Sequence, residues 1–213
     1  MGEAQARAGR PEGGVTQVAF QSALARLVTD LDFRADVRGR GRAALPEGVS
    51  EVESERLLAA AGDRGLDAAR TIYKGFRLSK LLLTLPLTNT LLGPERMTAE
   101  VSAFWEGRPP VSFYYVEEAL AFCEHLLGRA GAGPRVPYLR EVVCYERASL
   151  VLERARLAGE RAGEQRVEFR HDPAALLSTL AAGRRPRKVP AARCVIAGRL
   201  SRRGAVSWRV VEG

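Results

Sequence analysis

The spacing of apolar residues changes character once along this chain, at Gly163, and that change confines the fold to helices first and a small sheet after. Upstream, apolar positions return every three or four residues, the repeat that gathers them on one side of a helix. Downstream, Arg166 to Arg170 alternates charged residues with Val167 and Phe169, and Asp172-Pro173 opens a short helix carrying Leu176, Leu177 and Leu180. Two β-rich runs follow, Cys194 to Leu200 and Ala205 to Val211, joined at Ser201-Arg202-Arg203-Gly204 as a hairpin. The expected class is α+β, predominantly helical: an N-terminal helical domain over 15–162, then a small C-terminal domain over 163–213 with a three-stranded sheet and one helix. Residues 1–14, mainly Gly, Ala, Arg, Glu and Pro, have no apolar h-region and read as a loose, disordered leader segment.

Within the helical part, Thr16 is the expected cap of a first helix with Phe20, Leu24, Leu27, Val28 and Leu31 at helical spacing. Arg38 to Gly48 reads as a loop, and Ser50 with Glu53 has the form of a capping box opening a helix that ends near Gly62. Leu66 to Leu85 is expected to be a long core helix, with Ala69, Ile72, Tyr73, Phe76 and Leu83 on its buried side and Pro86 as its stop. Gly93-Pro94 starts another helix on Met97, Val101 and Phe104, closed by Gly107-Arg108-Pro109-Pro110. Ser112 is the expected cap of the next, where Phe113, Val116, Leu120, Cys123 and Leu127 step by alternating three and four residues. After a loop from Gly128 to Gly133, Pro137 leads a long helix with Leu139, Val142, Val143 and Leu150. Glu146 falls on that apolar stripe, where an unpaired carboxylate costs about several kcal/mol, so it needs a partner: Tyr73, Arg77 or Arg147. Arg140, Arg147, Arg154 and Arg161 recur every seventh residue and read as a solubilising face.

Several classes of chemistry lack support. The longest apolar stretch, around Leu81, Leu82, Leu83 and Leu85, is broken by Thr84 and Pro86 and falls well short of the roughly 18 residues of a membrane span, so a cytoplasmic protein is expected. Cys123, Cys144 and Cys194 lie far apart and read as buried thiols, Cys123 on a core face. His125 and His171 are isolated from each other and from metal-ligand spacing, so no metal and no cofactor of the chain's own is expected. Glycine-rich nucleotide cradles and the nucleophile elbow are missing as well, which argues against an enzyme. An enzyme would have to draw on Glu146, His125 or His171.

Charge is more informative. The net charge is +8, and Arg184, Arg185, Arg187, Lys188, Arg193, Arg199, Arg202 and Arg203 stand in one stretch with no acid among them, enough to account for the whole excess. Such a stretch is either a solvated loop or a contact for an acidic partner, a nucleic acid backbone or an acid-rich peptide. A second basic row, Arg70, Lys74, Arg77 and Lys80, lies along the helix expected from Leu66 and offers a partner-binding surface or a solvated face.

The middle of the chain carries R-T-I-Y-K-G-F-R from Arg70, L-P-L-T-N-T-L-L-G-P from Leu85 and V-S-A-F-W-E-G-R-P-P-V-S-F-Y from Val101. E-E-A-L-A-F-C-E-H-L-L follows from Glu117, and P-Y-L-R-E-V-V-C-Y-E-R-A from Pro137. In order and spacing these segments resemble the helical accessory proteins of the MbnC and HvfC type, chiefly over Ala69 to Leu152. The resemblance implies a non-catalytic subunit without iron of its own. Its implied partners are a TIM-barrel multinuclear iron enzyme, bound as a heterodimer, and the leader of a ribosomally made precursor peptide that the enzyme modifies.

Leaders of this kind are often acidic, which matches the basic stretch. The peptide is therefore expected on the C-terminal domain, with strand 194–200 or 205–211 giving backbone hydrogen bonds. Ile196, Val206 and Trp208 would give apolar surface, and Arg187, Lys188 and Arg199 charge; the plainer reading of Trp208 is core filler, since a three-stranded sheet on one helix needs a large side chain. Arg70, Lys74, Arg77 and Lys80 are the expected contact for the iron enzyme. The alternative is a DNA-binding regulatory protein, favoured by a pI of about 10.0 and by the DNA-binding label the family often carries. Against it, no helix-turn-helix spacing is found and no helix presents Asn, Gln and Arg together for base edges.

Overall fold

A computed structural model of the protein describes residues 13–106, 115–129, 136–201 and 204–212, with side chains from residue 17 onward. The chain is α+β and predominantly helical, and it divides at Gly75/Phe76 into two compact units.

The first unit holds α1 (Gly13–Thr29), α2 (Leu31–Arg40), a 3-10 turn (Gly41–Ala44), α3 (Glu51–Gly62) and the start of α4 (Gly65–Thr84). Thr16 lies inside α1 and not at its start, because the helix already begins at Gly13, within the segment expected to be disordered. Leu31 belongs to a second helix that sequence reasoning missed. Asp30 breaks the path and caps it, accepting from the Phe33 amide at 2.9 Å, and the buried Phe33 and Val37 carry helix through the expected loop as far as Arg40. Ser50 and Glu53 form the expected capping box on α3. The core here is Ala23, Leu27, Phe33, Val37, Leu57 and Ala61, while Leu24 and Leu31 are exposed. Arg34 is buried and closes the end of α3: its Nε donates to the Ala61 carbonyl at 3.1 Å, its Nη2 to the Asp63 carbonyl at 3.0 Å, and its other nitrogen pairs with Asp67.

Helix α4 corrects the sequence reading most sharply. Ile72, Phe76 and Leu83, expected in the core, are 73%, 54% and 81% exposed. The burying side is the one that carries Leu78, Leu81 and Leu82, which pack with Leu85 just beyond the helix end. Both faces of this helix carry apolar residues, so spacing alone does not choose between them. Pro86 stops α4 as expected, but it also stands at the first position of a further helix, α5 (Pro86–Leu92), where its missing N–H costs nothing.

The second unit continues with α6 (Pro94–Trp105), α7 (Tyr115–Arg129), α8 (Leu139–Ala158), β1 (Gln165–His171), α9 (Pro173–Ala181), β2 (Ala191–Leu200) and β3 (Val206–Glu212). Met97, Val101 and Phe104 are buried as expected. On α7 the buried set is Val116, Ala119, Phe122, Cys123 and Leu126, a slight rotation from the expected stripe that leaves Leu120 and Leu127 half-buried. Ser112, Phe113 and the run Gly107 to Pro110 lie outside the described residues, as do Arg202 and Arg203 of the hairpin turn. Two of the heptad arginines tie α8 to α7 and do more than solubilise: Arg147 meets Glu124 at 2.5 Å and Arg154 meets Glu117 at 3.4 Å. Arg161 lies past the end of α8.

The antiparallel sheet runs in the order β1-β2-β3, so β2 is central and β1 and β3 are edges. Val167, Phe169 and Ile196 pack with Leu176 and Leu180 of α9 and Val142 of α8 in one core. The sheet thus shares its interior with α8, whereas the sequence reading drew a boundary after 162. Trp208 lies across from Gly198, and a Cβ built there would stand 2.7 Å from its ring. The other side of Trp208 meets Tyr145, with ring centroids 4.8 Å apart. Gly198→Ala is therefore expected to displace the indole and cost about 1–3 kcal/mol through overpacking. A urea titration measures the loss, and a shifted indole N–H resonance of Trp208 marks its cause. Among the described residues no helix is long and apolar enough to cross a membrane.

Candidate functional site

The residues expected to hold a peptide do not converge. Strand β2 is paired on both sides from Val195 to Gly198, so most of the run 194–200 has no free backbone edge to offer; β3, with 206–212, does. Ile196 is 6% exposed and belongs to the core, and Trp208 is half-buried between Gly198 and Tyr145. Val206 is exposed. The guanidinium of Arg199 is engaged by Glu164 at 2.5 Å. Arg187 and Lys188 are exposed in the loop after α9 and have no partner among the described residues.

Not all of the basic stretch is available to a partner. Arg185 donates to the carbonyls of Thr90 at 3.2 Å and Leu92 at 3.1 Å, closing the C-terminal end of α5. The row on α4 does not form a common surface either. Arg77, 11% exposed, pairs with Glu118 and stacks over Trp105 at 4.5 Å, while Trp105 donates its indole N–H to the same Glu118 at 2.9 Å. Lys80 sits over the Phe76 ring at 4.2 Å, and Arg70 is half-buried, leaving Lys74 exposed.

What the second unit does build is a cleft of about 1490 Å³. Its walls are α6 at Arg96 and Glu100, the end of α7 at Leu126 and Arg129, and the start of α8 from Tyr138 to Glu141 with Cys144. Its floor is β1 from Arg166 to His171 with Arg193, Cys194 and Val195 of β2. Arg96, Arg140, Arg170 and Arg193 line it without an acid partner among the described residues. Of the acids lining it, Glu100 is held by Arg129 at 3.2 Å, Glu212 by Arg166 at 3.2 Å and Glu141 by His171; among the described residues Glu168 has no ion-pair partner. The cleft therefore carries an unbalanced positive lining beside an open strand edge.

At one end of this cleft lies a cluster that sequence reasoning missed. Glu141, 8% exposed, accepts from the backbone N–H of Arg170 at 3.0 Å and of His171 at 3.2 Å through Oε2, and its Oε1 lies 2.8 Å from His171 Nδ1. The His171 ring meets the edge of Tyr138 at 4.7 Å between centroids. Tyr138 has φ +65°, a left-handed conformation uncommon outside glycine, and its hydroxyl accepts from the Val189 amide at 3.2 Å. Nothing in the spacing of Glu141 and His171 marks them as partners, because α8 and β1 meet only through the tertiary fold.

The remaining candidates have structural positions. Glu146 is buried, and its partners are the amide N–H groups of Leu87 at 2.7 Å and Thr88 at 2.9 Å, in place of the expected Tyr73, Arg77 or Arg147. These are the first free donors of α5, whose own N-cap residue, Leu85, has no capping side chain. Burial pushes the Glu146 carboxyl up to about 7 against the pull of those two hydrogen bonds. Burial also pushes the thiols of Cys123, Cys144 and Cys194 up, which keeps all three protonated and poorly nucleophilic. His125 packs on Phe104 and Phe122. Among the described residues no three His, Cys, Asp or Glu side chains are grouped to hold a metal. No model of a known protein family matches this sequence, and no curated protein matches it.

Proposed function

We propose that this chain is a non-catalytic, cytoplasmic partner subunit. It holds the acidic leader of a ribosomally made precursor peptide in the β1 cleft and presents it to a TIM-barrel multinuclear iron enzyme that carries the metal. The MbnC and HvfC resemblance supplies the enzyme and the precursor class. The observation that carries the binding reading is the set of four arginines, Arg96, Arg140, Arg170 and Arg193, that have no acid partner among the described residues and stand beside an open edge strand. Main-chain pairing supplies affinity at such an edge, and complementary charge supplies orientation and rate.

The test is fluorescence anisotropy with a labelled acidic peptide. Arg140→Glu with Arg193→Glu is expected to weaken binding about tenfold or more, a loss of about 1.4 kcal/mol. Arg187→Glu with Lys188→Glu, away from the cleft lining, is expected to weaken it less. Equal affinity in the cleft variant would refute the reading, as would failure of the tagged chain to retain an iron enzyme. A nucleic acid backbone would meet the same arginines. Tight, steeply salt-dependent duplex binding in a gel shift, without peptide binding, would turn the assignment to DNA.

A further inference from the structure

We infer that a guest peptide pairs with β1 only as far as Phe169, because Glu141 already fills the last donor positions of that edge. This rests on the peptide-binding reading above and adds to it a register and an end point.

An edge strand offers alternate amides and carbonyls to a newcomer, those not used by its neighbour. Strand β2 takes the inner row of β1, and the cleft lies open along β1 from Arg166 to His171. At the downstream end the pairing with β2 slips between Phe169 and His171. Such a bulge frees amides from the ladder. Here the freed N–H groups of Arg170 and His171 both donate to Glu141 Oε2, while Oε1 takes His171 Nδ1.

One nearly buried carboxylate thus supplies the acceptor that the next strand would have supplied. A guest running past Phe169 would have to displace a side chain anchored by these contacts to backbone and ring. The same end of the cleft carries three arginines that have no acid partner among the described residues: Arg170 in the bulge, Arg193 in the facing stretch of β2, and Arg140 next to Glu141 on α8. The guest class that fits is a short extended segment whose acidic residues fall where the strand pairing stops.

The experiment is residue-resolved amide hydrogen exchange by NMR on the full ¹⁵N-labelled chain. It is run free and with a short synthetic peptide of alternating Glu and Val, and anisotropy reports binding separately. In the free protein Arg170 and His171 are expected to exchange slowly. With peptide, the amides between Arg166 and Phe169 that β2 leaves free should slow at least tenfold, while Arg170, His171 and 206–212 do not change. The same peptide with Lys for Glu should give no protection. In Glu141→Ala the amides of Arg170 and His171 should exchange fast when free and become protected by peptide, as the guest strand lengthens. Should that variant fail to fold, Glu141→Gln, which keeps one acceptor oxygen, and the wild-type pattern decide the matter.

Protection confined to 206–212, or fast exchange of Arg170 and His171 in the free protein, overturns the register while leaving peptide binding in place. No binding of the acidic peptide at millimolar concentration overturns both.

Discussion

Gly93→Ala is expected to destabilise the second unit by about 3 kcal/mol, read as a lowered urea midpoint with an unchanged slope. Gly93 joins α5 to α6 at φ +74° and ψ 169°, a region essentially closed to residues with a Cβ, and holding alanine there costs about 1–3 kcal/mol. The added methyl would also occupy the space of the Arg185 guanidinium. That side chain is flexible at its tip and would move, but in moving it gives up the carbonyls of Thr90 and Leu92, at about 1 kcal/mol for a typical hydrogen bond and more for a charged donor. Arg185→Met separates the two contributions. It removes the guanidinium and leaves the backbone alone, so its loss should be smaller, about 1–2 kcal/mol. Equal losses in the two variants would show that the backbone conformation at Gly93 is not strained by a side chain.

Glu146→Ala is expected to cost about 2–4 kcal/mol, because it leaves the amides of Leu87 and Thr88 inside the protein without an acceptor. Its sharper signature is in pH. Unfolded, the carboxyl titrates near its ordinary 4.5; folded, burial raises it to about 7. The folded state therefore binds the proton more tightly. Stability from this group is fully present below about 4.5 and is lost as pH rises through about 7, by up to about 3 kcal/mol. Glu146→Gln cannot titrate and keeps one oxygen for one of the amides. The difference between wild-type and Glu146→Gln unfolding energies, followed from acid to neutral pH, should slope in that direction and then level off. A flat difference would mean that Glu146 is not the buried acid its surroundings describe.

How much of this was readable beforehand depends on where the information lies along the chain. Features fixed by neighbours in sequence were recoverable: the Ser50–Glu53 capping box, Pro94 at a helix start, Asp172 before α9, and the alternation of Val167 with Phe169. The spacing predicts the helix at α4 but not its buried side, because Ile72, Phe76 and Leu83 compete with Leu78, Leu81 and Leu82 and only the packing decides. Glu146 stands out in the sequence as a buried carboxylate in need of a partner, and it is buried. The partner escaped because backbone amides leave no mark in a sequence. Glu141 and His171 are thirty residues apart, joined by a contact between helix and strand that no local pattern records. The basic stretch was visible as charge, but its division between Arg185, held by α5, and Arg193, facing the cleft, depends on tertiary neighbours.

Helix α5 is gripped at both tips by residues from elsewhere, Glu146 of α8 at its beginning and Arg185 of the loop before β2 at its close. A seven-residue rod clamped in this way works like a rivet between α8 and the loop that leads into β2. Cutting either grip would free one tip of α5 and with it the tie between α8 and the chain entering β2.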